Sequence, residues 1–398
     1  MQTIVEKSPK TPPPNKSRSR LWVEAAIVAG LAIAVLVLLP GLLNLTGQSF
    51  RVGLLGRFMA LAIAALGIDL IWGYTGILSL GHGLFFALGG YALAMYLQLQ
   101  IPAGQLPEFI TLYGGTELPL LWKPFYSLPF TIFAVMVIPA LLAAVLGYLV
   151  FRNRIRGVYF SILTQAALIV FFNFFNGQQK LINGTNGLKT DTATLFGQVV
   201  SSAPVQGTFY FLTVVFLVAA YALCRWLTSG RFGKLLVAIR DDEPRVRFSG
   251  YNPTAFKVLV FAVSAALAGI SGALYTVQSG IITPNAMDIG FSIEMVIWVA
   301  VGGRATLVGA ILGALVVNFA KSLLSEQFSA VWQFFQGALF LLVVTALPDG
   351  IVGWLMTQGR DLLRSLFGRS QIMTYPSLET DPEVQYERET LGNRESDG

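Results

Sequence analysis

The stretch that decides how this chain folds is GYTGILSLGHGLFFALGGYA, residues 73–92. Six of its twenty positions are glycine (73, 76, 81, 83, 89 and 90), and it carries the one histidine of the chain, His82. Glycine is a poor helix former and an imidazole is costly in an apolar setting. The stretch therefore reads as a break between two apolar helices, followed by a helix with a small-residue packing face.

Outward from that break the chain is apolar in both directions. Of its 398 residues 55% are hydrophobic and 12% charged, and the mean hydropathy is +0.66. A soluble domain carries about 25% charged residues, so the solvent for most of this chain is lipid. Runs near the roughly 20 residues that cross a bilayer as a helix recur along the sequence. They predict an all-α polytopic membrane protein of about ten spans, near 22–43, 53–72, 77–98, 128–150, 157–176, 209–228, 257–277, 290–303, 305–323 and 331–347. The eighth is short and runs into the ninth through Gly302-Gly303-Arg304, the pattern of a broken or re-entrant element.

Charge placement orients the array. With the N-terminus cytoplasmic, 21 of the 27 Lys and Arg residues fall on the inner side, leaving Arg51, Arg57, Lys123, Lys180, Lys189 and Lys321. The net charge of +6 is thus a topology signal rather than a nucleic-acid footprint, and it puts both termini in the cytoplasm. Residues 1–21, polar, Pro-rich and basic, are expected to form a disordered cytoplasmic tail, 22–355 the membrane domain and 356–398 a second polar cytoplasmic tail. Two long outer loops, 99–127 and 177–208, suit either an extracytoplasmic partner or simple helix connection.

The longest inner segment, SGRFGKLLVAIRDDEPRVRFSGYNPTAFK (229–257), is no linker. Leu235, Leu236, Ile239, Val246 and Phe248 alternate with dense charge, predicting one or two amphipathic helices broken near Pro244 and ended by Gly250. A lipid anchor would carry mostly Lys and Arg. The mixture of Arg240, Asp241, Asp242, Glu243, Arg245 and Arg247 instead has the character of a protein-docking face.

Several chemistries are excluded. One cysteine, Cys224, allows no intrachain disulfide, and with one histidine it cannot build a zinc or iron–sulfur site. The nearest text to a P-loop, GRFGKLL (230–236), has the wrong spacing and no hydroxyl after Lys234. Ser79 and His82 lie three apart, one face of a helix, but no nucleophile-elbow pattern accompanies them. The chain is expected to be no enzyme and to hold no metal or cofactor.

Three blocks together carry a resemblance. GYTGILSLGHGLFFALGGYA, AIRDDEPRVRFSGYNPTAFKVLVFAVSAALAGISGALY (238–275) and GGRATLVGAILGALVVNF (302–319) resemble, in order, the signatures of the branched-chain amino-acid permease family of ATP-binding-cassette (ABC) importers. The similarity spans roughly 53–355 and leaves out both tails. It implies a bacterial plasma-membrane permease subunit with a second homologous permease, two cytoplasmic ATPase subunits that bind ATP and Mg, and an extracytoplasmic solute-binding protein. It also makes Arg240, Asp241, Asp242, Glu243, Arg245, Arg247 and Gly250 the ATPase-coupling segment. Asp69 and Trp72, with FNGQQKLINGTNGLKT (175–190), lean toward the urea-transporting branch; a branched-chain amino acid or another amide is the alternative.

Urea has two NH₂ donors and one carbonyl acceptor and needs uncharged polar partners. Ser79, Thr164, Gln165, Asn173 and Asn318 are candidates to line its path, each with interhelical hydrogen bonding as the structural alternative. His82 and Glu294 complete the candidate path, and Asp69 divides between a backbone acceptor and a path residue. A self-sufficient secondary transporter or channel would explain the spans equally well, but it would have no use for the docking segment. The glycines at 89 and 90, 269 and 272, and 309 and 313 are expected to pack helices closely.

Overall fold

The computed structural model describes residues 50–327 except 103, 104 and 156, together with residues 30, 34–38, 40–41, 45, 334, 337–338, 341, 345 and 350–355. The expected first and tenth spans therefore lie largely outside the described residues, as do both tails. Chain contacts divide the protein into Met1–Gly353 and Trp354–Gly398; the second unit is described at Trp354 and Leu355 alone.

The described residues are mostly helical. In chain order the main helices are α1 (Phe50–Thr75), α2 (His82–Gln98), α3 (Leu128–Arg152), α4 (Val158–Gly177), α5 (Ala203–Ser229), α6 (Arg231–Asp241), α7 (Glu243–Phe248), α8 (Pro253–Ser279), α9 (Ile289–Gly302) and α10 (Leu307–Gln327). Six of these, α1, α3, α4, α5, α8 and α10, are long and apolar enough to cross a membrane. α9 has 14 residues and α2 has 17, both shorter than these six. The expected third span starts five residues late. Residues 77–81 are not helical, because Gly76 turns left-handed (φ +73°) and the backbone resumes helical bonding at His82.

Two very short sheets mark one end of the bundle. Leu188–Lys189 pairs antiparallel with Ile281–Ile282, in the register Leu188↔Ile282 and Lys189↔Ile281. Thr194–Leu195 forms a hairpin with Gln198–Val199. Gln98 Nε2 donates to Lys189 O and Trp122 Nε1 to Leu181 O, so the connections 99–127, 178–202 and 280–288 gather at this end. The break at 76–81, the turn at 153–157, the α6–α7 segment and the α9–α10 turn gather at the other.

α1 and α8 form the centre. From Met59 to Ile71 every residue of α1 is buried. Ser264 Oγ and Ser271 Oγ of α8 donate to Gly67 O and Ala60 O of α1, both at 2.6 Å. α8 also packs closely on α2 and α3. A methyl on Gly272 would collide with Phe86 O, and one on Gly269 with Val135 O. Val135 O lies one turn before Pro139, which has no N–H to offer it, so the glycine seats against a carbonyl its own helix leaves unpaired. Large side chains would hold these helices apart, and glycine is what lets them approach.

Candidate functional site

The inner segment folds as the charge pattern predicts, with the break at Asp242 rather than Pro244. α6 buries Gly233, Leu236 and Ile239 on its apolar face. Asp242 then caps α7: its Oδ1 accepts from Arg245 N at 3.1 Å, and Pro244 occupies the first turn, where a missing N–H costs nothing. Gly250 ends the segment at φ +85°, and Asn252 Oδ1 caps α8 by accepting from Thr254 N.

The seven residues expected to couple to an ATPase divide by direction. Glu243 is buried and held from two sides, by Lys257 Nζ at 2.6 Å and Arg247 Nη2 at 2.9 Å. Arg240 Nη1 donates to Gly73 O at 2.9 Å, and its Nε donates to Asp241 at 3.0 Å. Asp241, Arg245 and Gly250 are exposed, alongside Phe248 (92% exposed) and Tyr251. Glu243, Arg247 and Lys257 thus staple the segment to the membrane domain, while the exposed side offers charge and two aromatic rings to solvent. Lys257 was not legible as part of this site; the signal was a lysine in the first turns of an otherwise apolar helix.

The seven path candidates fall in three places. At the break, Leu80 N donates to Thr164 Oγ1 at 3.1 Å and Ser161 Oγ donates to Leu78 O at 2.7 Å. Ser161 and Thr164, three apart on α4, therefore satisfy backbone groups that the missing turn of helix leaves open. Ser79 is buried here, its Oγ accepting from Gly81 N. His82 is wholly buried, with Nε2 2.7 Å from Ser264 Oγ, which itself donates to Gly67 O. Since that hydroxyl has one proton, Nε2 carries the hydrogen in the His82–Ser264 bond. Phe85 and Phe261 close around the ring edge-on. His82 joins α2, α8 and α1 from a dry junction.

Gln165 and Asn173 sit further along α4, half-buried and exposed respectively. The third place is on α9 and α10. Glu294, buried on α9, receives Lys321 Nζ of α10 at 2.8 and 3.0 Å. One turn back on α10, Asn318 Nδ2 donates to Ala314 O within its own helix. Arg57 of α1 is half-buried with its Nε unbonded, and Tyr275 of α8 lies within electrostatic reach of both Arg57 and Glu294. Lys321 is one of the six cations that charge placement leaves off the inner side; its partnership with Glu294 depends on how α9 and α10 pack.

A family profile described as "Branched-chain amino acid transport system / permease component" matches residues 50–344. The chain belongs to this permease family. It is 25% identical over 315 residues to the high-affinity branched-chain amino acid transport system permease protein LivM of Salmonella typhimurium, covering 74% of this chain and 68% of that protein. LivH of the same organism is 25% identical over 311 residues, 73% of this chain and 91% of its own. The ribose import permease protein RbsC of Haemophilus influenzae is 26% identical over 230 residues, 55% of this chain and 68% of its own. No solved structure matches. The chain is a multi-pass membrane permease component of the ABC-importer type to which these relatives belong.

Proposed function

We propose that this chain pairs with a second homologous permease subunit in the plasma membrane of a bacterium, with both termini cytoplasmic. Together the two line the path of a small polar solute. Of two ATPase subunits that hydrolyse ATP with Mg, one docks on the α6–α7 segment of this chain, which itself hydrolyses none. An extracytoplasmic binding protein delivers solute to the end carrying the 99–127 and 178–202 connections. One observation carries the reading: α6–α7 is anchored by the buried Glu243–Lys257 ion pair on one side and left charged and aromatic on the other, as a docking element must be.

For the solute, the urea lean rests on Asp69, Trp72 and the 175–190 stretch. A second reading, an amino acid, is supported by the Glu294–Lys321 pair, since a zwitterion needs both charges and urea needs neither. The similarity to LivM and LivH, permease proteins of branched-chain amino acid transport systems, adds to that side. A strain lacking the chain, complemented and assayed with labelled urea and labelled leucine, separates the two. Uptake of one of them, lost when the ATPase subunits are absent, is expected. Uptake that persists without those subunits contradicts the ABC reading.

A further inference from the structure

The last turns of α1 are bonded to two separate elements. On one side, Arg240 of α6 donates to Gly73 O at 2.9 Å, and its aliphatic stem lies so close to Gly76 that a methyl there would come within 2.8 Å of Cγ. On the other, Asp69 Oδ1 accepts from Ala305 N at 2.7 Å, and Tyr74 Oη donates to Ala305 O at 3.3 Å. The Arg304 guanidinium lies 5.0 Å from the centre of the Trp72 ring, a cation–π contact.

The α9–α10 turn held in this way is not relaxed. Ala305 sits at φ +59°, a left-handed state that a residue with a Cβ keeps only where its surroundings impose it. The grip is narrow as well. Asp69 is fully buried, its Oδ2 makes no hydrogen bond, and one carboxylate oxygen holds the turn. A methyl on Gly73 would come within 2.5 Å of Asp69 Oδ1 and 2.6 Å of Ala305 N, so the groups that hold the two elements touch one another.

We propose that the C-terminal turns of α1, Asp69–Gly76, relay movement of the coupling segment to the α9–α10 turn, with Arg240 and Asp69 as the positioning residues. A docked ATPase pulls on α6. Arg240 passes the pull to Gly73, and Asp69 and Tyr74 pass it to Ala305. α9 and α10 carry Glu294 and Lys321, so a displaced turn re-aims that pair. The relay rests on the permease reading above and adds a route to it.

Spin labels test the route in the full complex with its partner subunits. Cysteines replace Ala238 on α6 and Val308 on α10, each paired with a reference at Leu149 on α3; the native Cys224 is buried and stays unlabelled. With a non-hydrolysable ATP analogue, both distances are expected to shift. Asp69→Leu should keep the shift at 238 and lose it at 308, and Asp69→Asn, which retains an acceptor oxygen, should restore it. A full shift at 308 in Asp69→Leu overturns the relay, as does a wild-type shift at 238 with none at 308. No wild-type shift at 238 would instead count against the docking reading itself. Should Asp69→Leu fail to assemble, Arg240→Met keeps the stem and removes the donor. Solute moved per ATP hydrolysed should then fall about tenfold, the scale of one charge-assisted hydrogen bond, with hydrolysis retained. An unchanged ratio overturns the relay.

Discussion

Glu243–Lys257 and Glu294–Lys321 use the same two side chains at nearly the same distance, 2.6 and 2.8 Å, toward opposite ends of the protein. Their settings differ. Lys257 and Glu243 are 8% and 7% exposed, and Arg247 holds Glu243 as well. In the other pair Lys321 is 34% exposed while Glu294 is 6%. A closed pair joining a surface segment to a spanning helix is a staple. A pair with one member still reachable can exchange partners, and within a membrane domain that is where charge earns a functional reading.

The comparison is broken most sharply by removing one partner of the closed pair. Glu243→Ala leaves Lys257 buried without its carboxylate and should cost about 3 kcal/mol or more. The thermal midpoint of the purified chain should fall steeply, and replacing both residues by apolar ones of similar size should recover most of it. A midpoint equal to wild type would show that the pair is no staple. Glu294→Gln should behave differently. The pair is partly exposed, so stability should change by about 1 kcal/mol or less, while uptake drops and solute preference shifts. Equal loss of folded chain and of uptake would make this pair a staple too.

The hydroxyls at the break come next in size. Thr164→Val removes the acceptor for Leu80 N and should cost about 1 kcal/mol, read as a lower thermal midpoint with uptake per folded molecule unchanged. His82→Gln, which can still donate to Ser264, should cost less again and preserve uptake. Complete loss of uptake with a normal midpoint would move His82 from junction to path.

Much of this was legible in the sequence because lipid imposes simple rules. Long apolar runs gave α1, α3, α4, α5, α8 and α10, and glycine spacing gave the seams at Gly89, Gly269 and Gly272. The charge alternation of 229–257 gave two helices and their break within two residues. What stayed hidden depends on which side chains meet across the bundle. The start of α2 at His82 is set by hydroxyls eighty residues away, Ser161 and Thr164, which take up the open backbone. Trp72 reads as a solute-branch marker and Asp69 as that or as a backbone acceptor, but neither Arg304 as the partner of Trp72 nor Ala305 N, 236 residues away, as the group Asp69 accepts from could be read. Periodicity places a residue on a face, but it does not say what the face meets.

The exposed side of α6–α7 is the face proposed to receive an ATPase. Arg245→Glu combined with Phe248→Asp changes that side and leaves Glu243, Arg247 and Lys257 in place. The decisive measurement is ATP-driven uptake by the reconstituted complex, with retention of the ATPase subunits on the purified chain measured alongside. The account predicts that uptake and retention are both lost at an unchanged thermal midpoint. Wild-type uptake with the ATPase subunits still bound would contradict it.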